Sequence, residues 1–231
     1  MDVKKAEIQK HLTNALADDT AHAERIAFCK AVCAALTESA QRLYIGGWVL
    51  RNRKAEAIGV LTEMAAELSE GAVALLERDL YYAAASVVRQ LVEVQYFYFC
   101  FVTDATASET WLAATSEEIR QQFNPSAMRK RSAGRFRDEE YWIHCDHGGH
   151  PNPKARLLLK NHSTPLGDHR FMWADLAQHL REIWSLLLEA LATAQCTDHL
   201  SAEVQRDTQQ ALNRWEEFDL ASTRIQIPTN A

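Results

Sequence analysis

The sequence predicts an all-α fold, a helical bundle with one long central helix and short connecting loops. Three observations support this prediction. The first 124 residues contain no proline and only four glycines, so the chain has few places to turn sharply. Apolar residues recur at steps of three or four over long stretches, which is the period of a helix. No stretch shows the strict alternation of a half-buried strand.

The first 69 residues predict an N-terminal helical segment of three helices. Residues 3–17 have a modest amphipathic pattern. A second helix is expected to begin at a Thr20 cap and to end at Gly46-Gly47, and a third covers about residues 50–69.

The central helix is expected from Ala72 to about Val102, since no helix-breaking residue interrupts that stretch. A helix of that length spans about 45 Å. It carries Arg89 and Glu93 one turn apart in an apolar setting. Such a pair is costly unless it is paired and hydrogen-bonded. It therefore either fixes the register of the bundle or lines a polar pocket, for which the candidate partners are Tyr82, Tyr96 and Tyr141.

Shorter elements fill the second half of the chain. We expect helices at about 109–114, from a Ser116 cap through Phe123, and over 136–145, 169–196 and 201–220, with a loop at 162–167. Residues 70–221 are assigned to the main helical bundle, as one domain continuous with residues 1–69. Residues 222–231 are expected to be a loose tail.

Composition narrows the location and the partners. The formal net charge is −6, so bulk charge favours neither nucleic acid nor a membrane. The most apolar region contains charged side chains, which argues against a membrane span. Five cysteines, an odd number, fit reduced thiols better than a disulfide framework. We expect a cytoplasmic protein with no membrane partner.

The stretch YWIHCDHGGHPNPKAR, residues 141–156, is the most distinctive in the chain. One interpretation is a structural corner between two helices. The first helix ends near His147, where Gly148-Gly149 lets the chain turn, and Asn152 caps a second helix that begins at Pro153. An alternative is a metal site formed by His144, His147 and His150. No H-E-x-x-H or CxxC pattern supports that alternative, so we expect no metal and no other cofactor.

Two segments carry a family resemblance. VVRQLVE, residues 87–93, and EYWIHCDHGGHPNP, residues 140–153, together resemble a family of bacterial helical proteins of unknown function, with an Arg-x-x-x-Glu helix followed by a Tyr-containing helix and a His-Pro corner. That family is similar to the HEPN superfamily of helical bundles. Many HEPN proteins are metal-independent endoribonucleases of toxin and phage-defence systems.

The resemblance implies a catalytic set and an RNA contact surface. HEPN nucleases have four to six residues between an arginine and a histidine, and this spacing fits Arg137 with His144 and Arg156 with His162. About two such matches are expected by chance, so the spacing alone has no weight. The implied catalytic residues are Arg89, Glu93, Arg137, His144 and His150. Arg129, Lys130, Arg131 and Arg135 would hold the RNA backbone.

Three functions follow from these observations. The first is an HEPN-like endoribonuclease that acts as a homodimer. The second is a non-catalytic module that binds a small ligand or a partner helix at an Arg89/Glu93 pocket. The third is a metal-binding helical bundle. The histidines outside these motifs are expected to be ordinary helix or loop residues, namely His11, His22, His169, His179 and His199.

Overall fold

The computed structural model describes residues 16–159 and 168–219, and no strand occurs within those ranges, which confirms the all-α class. The α-helices there are α1 (Asp19–Val49), α2 (Arg53–Leu76), α3 (Tyr81–Thr103), α4 (Ala107–Ala113), α5 (Ser116–Gln122), α6 (Pro125–Arg131), α7 (Asp138–His144), α8 (Asp168–Thr193) and α9 (Ala202–Phe218). A π-helical turn, Cys145–Gly149, follows α7, and 3₁₀ turns cover Pro153–Leu158 and Thr197–His199.

The prediction of one continuous helix over residues 72–102 is wrong. Helix α2 continues through Gly71 to Leu76, and α3 begins only at Tyr81. Between them Asp79 adopts a left-handed backbone with φ of 58°. The Leu80 N–H donates to Leu75 O at 2.9 Å and the Asp79 N–H to Leu76 O at 3.1 Å, which is the Schellman arrangement. Aspartate occupies the position that glycine usually takes, so the sequence shows no obvious stop.

Several helix boundaries also differ from the prediction. Helix α1 runs past Gly46-Gly47 to Val49 because Gly47 lets it lie against α2, where a Cβ on Gly47 would be 2.5 Å from the Glu56 nitrogen. Asp18, and not Thr20, caps α1, and Thr115, and not Ser116, caps α5. The expected helix at 3–17 lies almost wholly outside the described residues, and the loop at 162–167 and the tail at 222–231 lie entirely outside them.

The four longest helices, α1, α2, α3 and α8, enclose one hydrophobic core. Helix α1 packs on α2, α8 and α9, whereas α3 packs on α2 and α8 and also carries the α7 corner. Side chains from all four helices are fully buried in the core, including Leu36, Leu61, Leu91 and Leu180. No helix in the described part of the chain is long and apolar enough to cross a membrane. This arrangement leaves the corner after α7 packed on α3, while His144 at the end of α7 contacts α8.

Candidate functional site

The corner that follows α7 lies directly on α3. Gly148 makes the closest approach, because a Cβ there would be 2.4 Å from the Ala85 carbonyl carbon. Helix α7 was expected to end near His147, but helical backbone continues through the π turn to Gly149. Asn152 caps the 3₁₀ turn Pro153–Leu158, as predicted, since its side chain accepts a hydrogen bond from the Lys154 N–H at 3.0 Å. The close backbone contact fixes where α7 ends relative to α3 and α8.

Three side chains meet between α7 and α8. The Nε2 atoms of His144 and His179 are 3.0 Å apart. His144 Nε2 lies 3.3 Å from Asp175 Oδ2, and His179 Nε2 lies 3.5 Å from Asp175 Oδ1. Their side chains are 15%, 16% and 21% exposed, in the order His144, His179, Asp175. The cluster is therefore largely buried, and each of the three side chains keeps a small exposed fraction.

Neighbouring groups orient both rings. His144 Nδ1 lies 2.8 Å from the Glu140 carbonyl oxygen, one turn back in α7, so Nδ1–H donates and Nε2 points toward α8. On the other side, the buried Gln95 of α3 donates from Nε2 to the His179 carbonyl oxygen at 3.1 Å and lies 2.7 Å from His179 Nδ1. Helices α3 and α7 thus hold the two imidazoles face to edge, with ring centroids 4.8 Å apart.

The cluster shifts the ionisation of its members. Burial lowers the pKa of His144, but the hydrogen bond and the negative charge of Asp175 outweigh burial, so the pKa lies above its ordinary value. Burial raises the pKa of Asp175, yet the hydrogen bonds and charges of His144 and His179 outweigh that effect and hold it far below the ordinary value. The aspartate is therefore ionised and His144 gains a proton more readily than a free histidine does.

These shifts predict how stability depends on pH in the absence of metal. The raised pKa of His144 stabilises the fold below about pH 6.5 and this contribution fades as pH rises through the raised value. The lowered pKa of Asp175 stabilises the fold above about pH 4 and is lost in strong acid. We expect Asp175→Asn to be less stable than the wild type by about 1.5–3 kcal/mol between these limits. Urea titrations in chelator measure this difference, and a gap that grows above pH 8 would contradict it.

Sequence reasoning found His144 but missed its two partners. His144, Asp175 and His179 lie close enough to share one metal ion, because their ligand atoms are within 4.8 Å of one another. No other described set of histidine, cysteine and acidic side chains does so. His147 and His150 are not part of this group. The available signal was Asp175-x-x-x-His179, which puts a carboxylate and an imidazole on one face of α8.

Arg89, Glu93 and Tyr141 form a second, separate cluster. Arg89 Nη1 donates to Glu93 Oε1 at 2.5 Å and to the Tyr141 hydroxyl at 3.2 Å, and that hydroxyl donates to Glu93 Oε1 at 3.3 Å. Burial and then the Glu93 charge raise the pKa of Tyr141 to about 12, which keeps the hydroxyl a donor. The two charged side chains are each 25% exposed, so the pair is accessible to water. The Arg89/Glu93 pair thus forms hydrogen bonds with Tyr141 but with neither His144 nor His150.

The other expected pocket residues are less accessible or lie apart. Tyr96 is buried, with its ring 6.2 Å from that of Tyr141, and Tyr82 is half-buried against the core. Glu93 also lines a largely apolar groove of about 540 Å³ between α2, α3 and α4. Arg89 does not line this groove. A ligand-binding role for the Arg89/Glu93 pair stays a prediction.

Most of the arginines expected to contact RNA bind carboxylates in the protein. Arg129 is buried, its Nε donates to Asp138 at 2.6 Å, and its guanidinium lies over the Tyr141 ring. Arg135 donates to Glu182 at 2.5 Å. Arg137, which was expected to be catalytic, donates to Glu140. Lys130, Arg131 and His150 are exposed.

Arg137 and His144 lie at opposite ends of α7, about 10 Å apart along its axis. The structure therefore does not bring them together as one site. Comparison of the chain with models of known protein families, with curated proteins and with solved structures finds no match.

Proposed function

We propose that this protein binds one divalent transition-metal ion, with Zn²⁺ the best match, through His144, Asp175 and His179. The observation that carries the proposal is the spacing of the ligand atoms, which is 3.0 Å between the two nitrogens and 3.3 Å and 3.5 Å from nitrogen to carboxylate oxygen. Ligands held at about 2.0–2.1 Å by a tetrahedral ion lie about 3.3 Å apart. An ion can therefore enter with small movements of the side chains.

The donor set also suits the ion. Imidazole nitrogen and carboxylate oxygen are ligands that zinc accepts, and the Glu140 carbonyl fixes the His144 tautomer in the way common around zinc. Three protein ligands leave a coordination position for water, which is the arrangement of catalytic rather than structural zinc. We therefore propose a hydrolytic role, for which an ion held by these residues would lower the pKa of a bound water to about 7. The partial exposure of all three side chains supports access by a substrate.

Titration with Co²⁺ and then Zn²⁺ tests the proposal. Metal-free wild type is expected to bind one Co²⁺ with visible absorption typical of a four- or five-coordinate ion, and Zn²⁺ is expected to displace it. His144→Ala should lose the saturable signal. His147→Ala is the matched control, since His147 lies one turn away outside the cluster. Equal binding by wild type and His144→Ala, or none by wild type, would overturn the proposal.

A metal-independent endoribonuclease is the second candidate, and one observation favours it. Two imidazole nitrogens 3.0 Å apart form a donor–acceptor pair, and the raised pKa of His144 suits proton transfer near neutral pH. This candidate expects cleavage of RNA in excess chelator, abolished by His144→Ala and unaffected by His147→Ala. RNA that stays intact in chelator, or cleavage that persists in His144→Ala, would exclude it. Cleavage that needs added Zn²⁺ would instead support the metal centre.

A further inference from the structure

The hairpin formed by α1 and α2 ends in an exposed apolar surface. Five side chains at the end of α1 and in the turn after it are 48–71% exposed, with Trp48 the most exposed. They are Tyr44, Ile45, Trp48, Val49 and Leu50. The first four share one face of α1, since they lie at positions i, i+1, i+4 and i+5. A contiguous apolar patch of this kind marks an interaction surface rather than ordinary surface.

Charge is divided along the same hairpin. Arg51 and Arg53 are exposed at its tip, next to Leu50. About 15–20 Å down α2, Glu63 and Glu67 line a groove of about 540 Å³ between the two helices. Tyr44 and Ile45 form the apolar wall of that groove. One surface therefore has a basic end, an apolar middle and an acidic end with a groove.

We propose that this surface, from the Trp48 tip to the Glu63/Glu67 groove, binds a second copy of the chain about a two-fold axis. In a two-fold interface the same patch meets itself in the opposite direction. The basic tip of each copy then lies over the acidic groove of the other, and each Trp48 enters the partner's groove beside Tyr44 and Ile45. Both complementary halves belong to one chain, so no other partner is needed to match the charges.

No described part of the chain covers the tip, since its five apolar side chains are 48–71% exposed. The paired surface is smaller than the roughly 20–30 residues a side of a standard interface. We therefore expect a dimer with a Kd on the order of micromolar.

Sedimentation velocity over low to high micromolar concentration tests the dimer. Wild type is expected to shift from monomer to dimer, and Trp48→Asp to weaken the Kd by about 30-fold or more. Trp142→Asp is the matched control, because Trp142 is also exposed but lies on α7. Wild type that stays monomeric, or Trp48→Asp that dimerises as well as wild type, would overturn the proposal. Circular dichroism checks that each variant is folded.

Charge reversal distinguishes this geometry from simple apolar association. A tip variant, Arg51→Glu with Arg53→Glu, and a groove variant, Glu63→Lys with Glu67→Lys, should each be monomeric alone. When they are mixed, both tip-to-groove contacts become complementary again, so a heterodimer is expected. Failure of the mixture to associate would contradict the two-fold arrangement. Binding of the monomeric protein to anionic vesicles, lost in Trp48→Asp, would assign the patch to a lipid surface and overturn it. These outcomes do not depend on metal binding.

Discussion

Asp175→Ala is expected to lower the affinity for Zn²⁺ by more than about 100-fold, because loss of a group that only orients a ligand already costs 10–100-fold. Asp175 supplies the carboxylate between two imidazoles and the only negative charge placed against both of them in the described cluster. Without it, the ion has two neutral ligands and no charge to offset its own. Competition against a chromophoric chelator measures the change in affinity.

Asp146→Asn is the matched control for Asp175→Ala. Asp146 lies in the π turn beside the cluster, where it accepts from Asn152 and Lys154 and does not belong to the ligand group. Its replacement should leave the Zn²⁺ affinity unchanged. If Asp175→Ala binds Zn²⁺ as tightly as wild type, the ion is held elsewhere and the proposed centre is wrong. If both variants lose affinity equally, the effect comes from the corner rather than from coordination.

Asp219→Ala is expected to destabilise the fold by about 3–5 kcal/mol, since it leaves a buried charge without its partner. Arg25 and Asp219 are both fully buried, and Arg25 Nε donates to Asp219 Oδ2 at 2.6 Å. The same carboxylate oxygen accepts from Trp215 Nε1 at 2.7 Å, and the Trp215 ring stacks on Phe28 at 4.6 Å. The carboxylate thus ties the end of α9 to α1. Guanidinium chloride unfolding measures the loss of free energy.

A double variant separates the lost ion pair from lost packing. Arg25→Met with Asp219→Leu removes both charges and keeps apolar volume, so its loss of stability should be clearly smaller than that of Asp219→Ala. Arg214→Ala is a surface control, because Arg214 is 67% exposed where it pairs with Glu24 between the same two helices. An Asp219→Ala protein within about 1 kcal/mol of wild type would show that water reaches Arg25.

The fold was largely predictable because its signals are local. Helix periodicity and the scarcity of proline and glycine identify most of the long helices directly. The errors fall where the backbone departs from what local composition favours. Asp79 takes a left-handed turn that breaks the expected central helix, whereas Gly47 continues a helix that it was expected to end. At Gly47 the close contact is with the α2 backbone, and at Asp79 the break is a local Schellman turn without glycine.

The candidate site was predictable only in part. His144 stood out because it lies in an unusual local stretch, and Tyr141, which was expected among the pocket residues, contacts Arg89 and Glu93. Asp175 and His179 gave no comparable signal, since they occur in an ordinary amphipathic helix 31 and 35 residues further along the chain. The position of α8 against α7 decides whether they meet His144.

The sequence by itself determined the class of the fold, the composition of its core and the presence of a corner after α7, because each depends on residues close together in the chain. Only the tertiary structure decided which histidine has which partners. It separated His144 from Arg89 and His150, and it joined His144 to an aspartate and a histidine of another helix. Side-chain chemistry at a site depends on distances of a few ångströms between distant segments, and these are set by helix packing.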